Sequence, residues 1–492
     1  MILRKYPLFI ILSFFAIVFI LISFVNHYCF RTYALDLGMF NQGIYYFSKM
    51  KNAIYTLDLS GENYPFLATH FSPLILFFAP FVFIFGSYTL LLLQILFILF
   101  GSIGVFKLAS RVYNLERKIA LLLTIHFLSI WGIYSALSFD FHMNVIGSMC
   151  IPWFVYYFKT NFKFSFLFLF MILFSIETLG IIMFFLILLL IIKDRLFHFK
   201  RNYLIYLQLI ICVLYVGYII LYLMPNLQKS DSNLQFNRYV LLGESPFEMV
   251  RFIFTKPIQF LQLFFGNPIE PIYNGIKTET ILMLLFSGGL AFLVRPVYLI
   301  VLIPFLAIKF LSNDYGFWGI NNQYSIEFVP MISLVVVDLI SRNPKRTLLI
   351  TLFFVFTTIS GTIITMKSRK SKWYNEPNNN ILSEKHYKSE FSYTKLKSVF
   401  KTIKEDEIVS SISNFAPHLS FRDKIYHFPI VKDATTIVLT QKEGFCYPLN
   451  QKDYFNEIKK LKSDSTFKIF YADETLIIFK KKKRIYESKY NK

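Results

Sequence analysis

The chain has 492 residues, of which 55% are hydrophobic, 19% are aromatic and 16% are charged, and its formal net charge at pH 7 is +21. Soluble domains carry about 25% charged residues, so this composition excludes an ordinary soluble enzyme and a disordered chain. The four cysteines show no paired spacing, which excludes a disulfide scaffold. The composition therefore indicates a membrane protein. Because much of the basic excess lies in short loops between apolar runs, we expect no nucleic-acid partner.

Apolar runs recur along the first 366 residues. A membrane span needs roughly 20 apolar residues, and fewer where the helix is short or buried by protein. The sequence therefore predicts a mainly α-helical, polytopic transmembrane bundle of about eleven spans. The predicted spans are 7–25, 88–108, 119–137, 144–158, 164–176, 178–192, 203–224, 279–294, 297–311, 326–341 and 347–366.

The charges between these runs predict the orientation. If the N-terminus is cytoplasmic, sixteen basic residues lie in inner segments and eight lie in outer segments before residue 367. Lysine and arginine concentrate in short cytoplasmic loops of membrane proteins, which favours this orientation. The C-terminal domain is then expected on the outer side of the membrane.

The runs 164–176 and 178–192 are each short for a full span. A single long helix with Glu177 inside it would reverse every later segment and violate the charge rule. We therefore expect two short helices that meet near Glu177.

The remaining chain predicts two long outer loops and a separate C-terminal domain. Residues 1–366 form the predicted transmembrane domain, with outer loops at 27–87 and 225–278. In 367–492 the pattern changes to short β-type runs with helical stretches near 390–405 and 451–463, which indicates a small α/β domain. The predicted strands are 408–412, 425–428, 436–440, 467–471 and 476–479.

Five ionisable residues lie where segments reach the predicted outer face. These predicted catalytic residues are Asp36, His70, Asp140, His142 and Glu177. Ionisable groups at membrane depth are costly and are usually functional. Several carboxylates and histidines at one interface suit chemistry on a lipid-linked phosphate.

Each of these residues also has a structural interpretation. Asp36 is a favoured residue type for a helix N-cap, and His70 fits a hydrogen-bonded loop histidine. Glu177 fits a partner for a backbone group or a lysine. Asp140 and His142 have a spacing found among metal ligands, but two residues do not specify a site.

The motifs resemble, in their order, a family of bacterial polytopic membrane proteins, domain of unknown function 2079. The segments that carry the resemblance are Asp36–Gln42, His70–Pro73, Leu90–Gln94, Asp140–His142, Gln323–Ser325 with Pro330, Ala416–Arg422 and Ile425–Pro429. The family often places a Lys-Glu-Asp run on its fifth helix, where this chain has Ile176-Glu177-Thr178. Only Glu177 is therefore carried over.

This family is similar, more distantly, to the membrane glycosyltransferases of the C-type fold. Those enzymes have an acidic residue just after the first helix and use sugars carried on polyprenyl phosphate, and Asp36 matches the acidic position. The resemblance implies a protein of the bacterial inner (cytoplasmic) membrane that moves a sugar from a polyprenyl-phosphate donor to a glycan, lipid or protein acceptor. Asp36 is the expected general base, and the sugar inverts.

The expected substrate also requires groups that bind it. A leaving phosphate needs positive charge, for which His70, His142 and Lys309 are candidates, or a divalent cation such as Mg or Mn held by Asp140 and His142. Lys309 also fits a lysine that snorkels to the lipid headgroups. The predicted substrate-binding residues are Arg31, Asn41, Gln42, Lys309 and Tyr324. Membrane lipids are the other expected partners.

Two other functions remain open at this point. A membrane transporter or flippase commonly shows inverted repeats, and the sequence shows no internal repeat. A non-catalytic membrane scaffold would use the C-terminal domain as its working part.

Overall fold

The computed structural model describes residues 6–228, 236–371 and 374–482, and it is mainly α-helical. Arg4 and Lys5, which count among the predicted inner basic residues, lie outside this range. The α-helices of seven or more residues are α1 Pro7–Tyr28, α2 Met39–Ser48, α3 Thr89–Lys107, α4 Arg117–Leu128, α5 Trp131–Leu137, α6 Met143–Thr160, α7 Phe162–Leu173, α8 Leu179–Lys193, α9 Phe199–Tyr218, α10 Pro246–Thr255, α11 Pro257–Phe265, α12 Ile276–Leu284, α13 Leu299–Phe310, α14 Phe328–Ser341, α15 Thr347–Lys367, α16 Tyr393–Phe400 and α17 Gln451–Ser463.

Short α-helical turns, 3-10 and π-helical segments and seven strands complete the elements. The short helical segments are Ala34–Gly38, Phe66–Thr69, Pro73–Phe81, Val82–Phe85, Gly86–Tyr88, Leu108–Val112, Ile219–Leu223, Met224–Gln228, Phe236–Tyr239, Pro271–Tyr273, Leu285–Gly289, Leu290–Val294, Pro296–Tyr298, Tyr315–Trp318, Pro344–Arg346, Glu376–Asn379, Glu384–Tyr387 and Ala416–Leu419. The strands are β1 Ile54–Tyr55, β2 Tyr64–Pro65, β3 Val409–Ser411, β4 Ile425–His427, β5 Thr436–Thr440, β6 Phe467–Ala472 and β7 Leu476–Lys481.

The predicted apolar runs coincide with helices, because such runs satisfy their backbone groups internally only as helices. Five helical stretches of the described chain are long and apolar enough to cross a membrane, or six if the bent pair α4 and α5 forms one span. Shorter apolar helices, among them α7, α8 and α14, account for further runs. The prediction of a mainly α-helical membrane bundle is confirmed.

Two separate helices occupy the region that was ambiguous in sequence. α7 ends at Leu173 and α8 begins at Leu179, so residues 174–178 form a break that contains Glu177. The carbonyl of Phe174 accepts a hydrogen bond from the backbone N–H of Leu74 over 2.9 Å. The expectation of two short helices that meet near Glu177 is confirmed.

The chain forms two compact units. The helical unit comprises Met1–Asn26, Leu67–Phe77 and Leu90–Lys388, and the sheet unit comprises His27–Phe66, Phe78–Thr89 and Ser389–Lys492. Most of the predicted outer loop 27–87 is thus grouped with the C-terminal strands. The domain boundary expected at residue 367 stays a prediction.

Aromatic and aliphatic side chains form the core of the helical unit. Phe19, Phe127, Trp131 and Phe154 are fully buried there. The α6–α7 hairpin brings Trp153 against Phe168, whose rings stack with centroids 5.9 Å apart. Burial of a side chain of this size away from water stabilises a fold by roughly 1.5–3 kcal/mol. Where lipid surrounds the bundle, van der Waals packing between helices provides most of the stabilisation instead.

Buried Asp338 in α14 is surrounded by basic side chains. Its carboxylate lies 3.0 Å from Lys193 Nζ, 2.7 Å from Arg295 Nε and 3.3 Å from Arg342 Nε. Only 1% of the Asp338 side chain is exposed, so an unpaired charge there would be strongly destabilising. The three cations come from helix ends that the sequence predicts to face the cytoplasm.

The sheet unit contains a mixed five-stranded sheet in the order β4-β3-β5-β7-β6. β3 pairs in parallel with β4 and β5, whereas β7 pairs antiparallel with β5 and β6. The five strands and the helix α17 match the predicted elements, and their buried residues form a core of their own. The predicted small α/β fold of the C-terminal region is confirmed.

The orientation can be tested with single cysteines in a cysteine-free background. Lys118, in the first turn of α4, and Lys459, in α17, are both exposed. A membrane-impermeant maleimide applied to spheroplasts should label Lys459→Cys at once and Lys118→Cys only after permeabilisation, because the basic loops are retained in the cytoplasm. Glu244→Cys, in the second predicted outer loop, is the matched outer control. Immediate labelling of Lys118→Cys would contradict the predicted orientation.

Candidate functional site

Ionisable side chains of the helical unit gather where several of its helices begin or end. Asn144, in the first turn of α6, donates a hydrogen bond from Nδ2 to Glu327 Oε1 over 2.7 Å. Glu327 directly precedes α14. Lys309, at the end of α13, donates from Nζ to the carbonyl of Tyr324 over 2.9 Å. The starts of α6 and α14 and the end of α13 therefore lie together.

The break between α7 and α8 lies at the same end of the bundle. It packs against α6 at Gly147, where a Cβ atom would lie 2.0 Å from Ser175 Oγ. Gly147 follows His142 by five residues, or roughly 7.5 Å of helical rise. We call this region the polar end, and its ionisable residues are His70, Asp140, His142, Glu177, Lys309 and Glu327.

Glu177 is the buried anchor of the polar end. Its side chain is fully buried, and its Oε1 lies 3.1 Å from His70 Nδ1. Its Oε2 accepts a hydrogen bond from the backbone N–H of Phe71 over 3.0 Å. Glu177 thus has the backbone partner that the structural interpretation required, and it also fixes the orientation of a histidine. His70 remains 43% exposed, so Nε2 is the ring nitrogen able to meet a ligand.

Gln94 shapes the loop that carries Asp140 and His142. Its Nε2 donates to the carbonyl of Asp140 over 3.0 Å, and its Oε1 accepts from the backbone N–H of His142 over 3.0 Å. Asp140 adopts φ = +54°, a left-handed conformation that is uncommon for residues other than glycine. The His142 ring stacks on Phe139 with centroids 5.6 Å apart. The Gln94 amide thus stabilises a strained turn directly before α6.

Lys309 lies inside the bundle rather than at a lipid-facing surface. It is 2% exposed. Its ammonium group donates to the carbonyl of Gly319 over 2.7 Å as well as to that of Tyr324. The Tyr324 ring stacks on Phe317 with centroids 4.3 Å apart. This arrangement differs from snorkelling, and we infer that Lys309 stabilises the turn before α14.

Three residues of this region were not among the predicted site residues. Gln94, Asn144 and Glu327 make the contacts that hold the polar end together. Glu327 could have been selected because it is an ionisable residue next to an apolar run. The roles of the two amides depend on contacts 46 to 183 residues away, which no local pattern encodes.

Asp36 and Arg31 belong to the sheet unit, where both are half-buried. Asp36 lies inside the helical segment Ala34–Gly38, whose N-cap is Tyr33, so Asp36 is not an N-cap. The backbone N–H of Ala34 donates to Ser413 Oγ over 3.2 Å, which attaches this segment to the loop after β3.

Asn41 and Gln42 fix the same segment to the sheet. Both side chains are fully buried. Asn41 Nδ2 donates to the carbonyl of Pro417 over 3.1 Å, and Gln42 Nε2 donates to that of Asp423 over 3.2 Å. Gln42 Oε1 accepts from the backbone N–H of Thr56 over 2.9 Å. Their predicted substrate contacts stay a prediction, and the geometry gives them a positioning role.

The described residues contain no group of three or more histidine, cysteine, aspartate or glutamate side chains that could hold a metal ion. Asp140 and His142 supply two donors, whereas a divalent cation such as Mg needs about six ligands, with substrate phosphates often among them. The chain alone therefore does not form a metal cage. The divalent cation stays a prediction.

The role of Glu177 can be tested by thermal unfolding in detergent. Glu177→Ala should lower the free energy of unfolding by about 2 kcal/mol, because it leaves the partly buried Phe71 N–H unpaired. Glu177→Gln should retain most of the stability, since an amide can accept from Phe71 and donate to His70. Exposed Glu244→Ala is the control. An unchanged midpoint for Glu177→Ala would contradict the proposed anchor.

Comparisons with known proteins agree with this architecture. In fold, the chain is similar to the crystal structure of ArnT from Cupriavidus metallidurans bound to undecaprenyl phosphate, with a TM-score of 0.53 and 9% identity over 96% of this chain and 98% of that chain. The resemblance to membrane glycosyltransferases of the C-type fold is thereby confirmed at the level of fold. A comparison with curated proteins gives no match. The model of the family described as "Predicted membrane protein (DUF2079)" matches residues 26–470, and the chain therefore belongs to this family.

Proposed function

We propose that the protein is an integral membrane glycosyltransferase that takes a sugar from a polyprenyl-phosphate donor. The observation that carries this proposal is the likeness in fold, over nearly the full length of both chains, to a structure that holds undecaprenyl phosphate. The polar end supports it because it presents ionisable groups at one end of an apolar bundle, where a lipid-linked phosphate would lie. The acceptor is a glycan, a lipid or a protein.

His70 is our candidate for the group that meets the donor phosphate. Glu177 Oε1, 3.1 Å from Nδ1, fixes the orientation of the His70 ring from its buried side. Nε2–H then lies away from the carboxylate and can donate to a phosphate oxygen as negative charge develops on the leaving group. Lys309 donates to two carbonyl groups, so we assign it a positioning role and not a contact with the phosphate.

Asp36 is our candidate for the general base, on the strength of the family resemblance. In this mechanism the acceptor hydroxyl attacks the anomeric carbon, its proton passes to the Asp36 carboxylate, and the bond from the sugar to the lipid phosphate breaks. Attack from the side opposite the phosphate inverts the sugar. The roles of Asp36 and His70 are proposed independently of each other.

The proposed setting is the bacterial inner membrane, with the N-terminus in the cytoplasm. The polar end and the C-terminal domain then face the periplasm, and the basic cluster around Asp338 faces the cytoplasm. This assignment follows from the distribution of basic residues between the predicted inner and outer segments.

Asp36→Asn tests the proposed base. Loss of a general base lowers the rate by about 10²–10⁴-fold, so a deletion strain that carries this variant should lack the sugar that the wild-type gene restores to its glycolipids or surface glycans. Glu62→Gln, an equivalent change at an exposed residue of the same loop, should restore it. Normal sugar transfer by Asp36→Asn would show that Asp36 is not the general base. Glycans that are unchanged in the deletion strain would favour a transporter or a scaffold.

His70→Gln tests the phosphate partner. The variant should transfer sugar about 10- to 100-fold more slowly, because it removes a positioned donor for the developing phosphate charge. His198→Gln, at an exposed position next to α9, is the matched control. The measurement is the initial rate of transfer in membranes with equal protein levels. A rate equal to that of the control would exclude a role for His70 in the chemistry.

A further inference from the structure

The sheet unit contains a cavity of about 360 Å³ that the mechanism above does not use. We call it the aromatic–basic cavity, and the lining residues that matter here are Phe30, Tyr88, Tyr393, Lys397, Lys401 and His418. Its volume falls within the range of small-molecule sites, roughly 300–1,000 Å³. All of its lining residues belong to the sheet unit.

One helix face supplies much of the wall. Tyr393, Lys397 and Lys401 are spaced by four residues along α16 and its C-terminal end, so they lie on the same side. Lys397 Nζ lies 5.4 Å from the centre of the Tyr393 ring. This face therefore combines a flat aromatic surface with two ammonium groups.

The cavity is electropositive. Its lining residues include no carboxylate, and within the described chain neither Lys397 nor Lys401 forms a salt bridge. Arg422 adds a fixed positive charge, since its guanidinium donates to the carbonyls of Leu419 over 2.5 Å and Glu407 over 2.9 Å. Two exposed lysines beside a rigid arginine would attract an anion.

His418 adds a buried acceptor to this wall. Its ring stacks on His27 with centroids 4.0 Å apart and is hydrogen-bonded to the His27 backbone. Burial lowers the pKa of His418 to about 3, with a smaller lowering contribution from Lys397, so the ring is neutral at pH 7. Its Nε2 has no hydrogen-bond partner among the described residues. A buried acceptor in this state is costly unless a ligand donates to it.

We propose that the aromatic–basic cavity binds a phosphorylated sugar. A sugar hydroxyl donates to His418 Nε2, the phosphate lies against Lys397 and Lys401, and the sugar ring packs on the aromatic wall. The shared chemistry is a phosphate next to a ring of hydroxyl groups, whether in a free sugar phosphate or in a lipid headgroup. We assign this ligand as the sugar acceptor, and that assignment rests on the proposed function. Binding to the cavity does not depend on sugar transfer.

The test is a calorimetric titration of the full-length protein in detergent with glucose 1-phosphate. We expect Lys397→Gln/Lys401→Gln to bind it at least about tenfold more weakly, because each lysine contributes a charged hydrogen bond. Lys395→Gln, on the other side of α16 and paired with Asp473, is the matched control and should bind normally. Glucose 1-phosphate that binds the double variant as tightly as the wild type would overturn the proposal.

A second variant separates the sugar from the phosphate. His418→Phe keeps an aromatic ring against His27 and removes the unpaired acceptor. The His27 carbonyl, which loses the His418 ring as a donor, still accepts from the backbone N–H of Phe30 over 3.0 Å, so the fold should be retained. It should weaken binding of glucose 1-phosphate several-fold and leave binding of inorganic phosphate unchanged. Inorganic phosphate that binds the wild type as tightly as glucose 1-phosphate would overturn the sugar component.

Nanodiscs with and without phosphatidylinositol distinguish the two sources of the ligand. The measurement is the rate at which an amine reagent modifies Lys397. If only phosphatidylinositol protects Lys397, the ligand is a lipid headgroup. If free glucose 1-phosphate protects it, the ligand is soluble. Protection by neither would overturn the proposal. If the wild type binds the ligand but transfers no sugar, the proposed function is contradicted and the cavity remains a binding site. If Lys397→Gln/Lys401→Gln transfers sugar at the normal rate, the ligand of this cavity is not the acceptor.

Discussion

A buried carboxylate inside an apolar helical bundle needs hydrogen-bond donors. The donors that Glu177 uses determine the shape of the polar end. A continuous helix through residues 164–192 would leave Glu177 among apolar side chains without a partner. The break after α7 lets its two oxygens meet His70 Nδ1 and the backbone N–H of Phe71. The same contacts tie the segment Leu67–Phe77 to the helices. A single requirement for hydrogen bonds therefore sets a helix break, a loop position and the orientation of a histidine.

The bundle meets the same requirement differently around Asp338. That carboxylate is paired with Lys193, Arg295 and Arg342, which leaves an excess of positive charge. Glu177, in contrast, has one backbone donor and one histidine that stays partly exposed. The Asp338 cluster consists of charged groups that satisfy one another, which suits a structural role. In the pair of Glu177 and His70, the second ring nitrogen of His70 is left for a ligand, as the proposed catalytic role of His70 requires.

In the sheet unit, buried amide side chains hold separate segments together, as ionic side chains do in the bundle. Asn41 and Gln42 connect the Asp36 segment to the loops after β3 by hydrogen bonds to backbone carbonyls. Such contacts fix a backbone without adding charge, so the polar groups nearby can be specialised for a ligand. The segment Ala416–Arg422 contributes Pro417 to this attachment and His418 to the aromatic–basic cavity. One short stretch of sequence thus both positions the Asp36 segment and lines the proposed ligand site.

The sequence alone determined the membrane bundle and the strands of the C-terminal sheet, and it favoured a break near Glu177. Those features depend on the length and period of apolar runs, and on single charges within them, which are local properties. Only the tertiary structure decided that most of residues 27–87 is grouped with the C-terminal strands, that Lys309 is enclosed and that Glu327 contacts Asn144. It also decided that His418 lines a cavity with Lys397 and Lys401. Such pairings join residues far apart in the chain, and a hydrogen bond between distant residues leaves no periodic trace in the sequence.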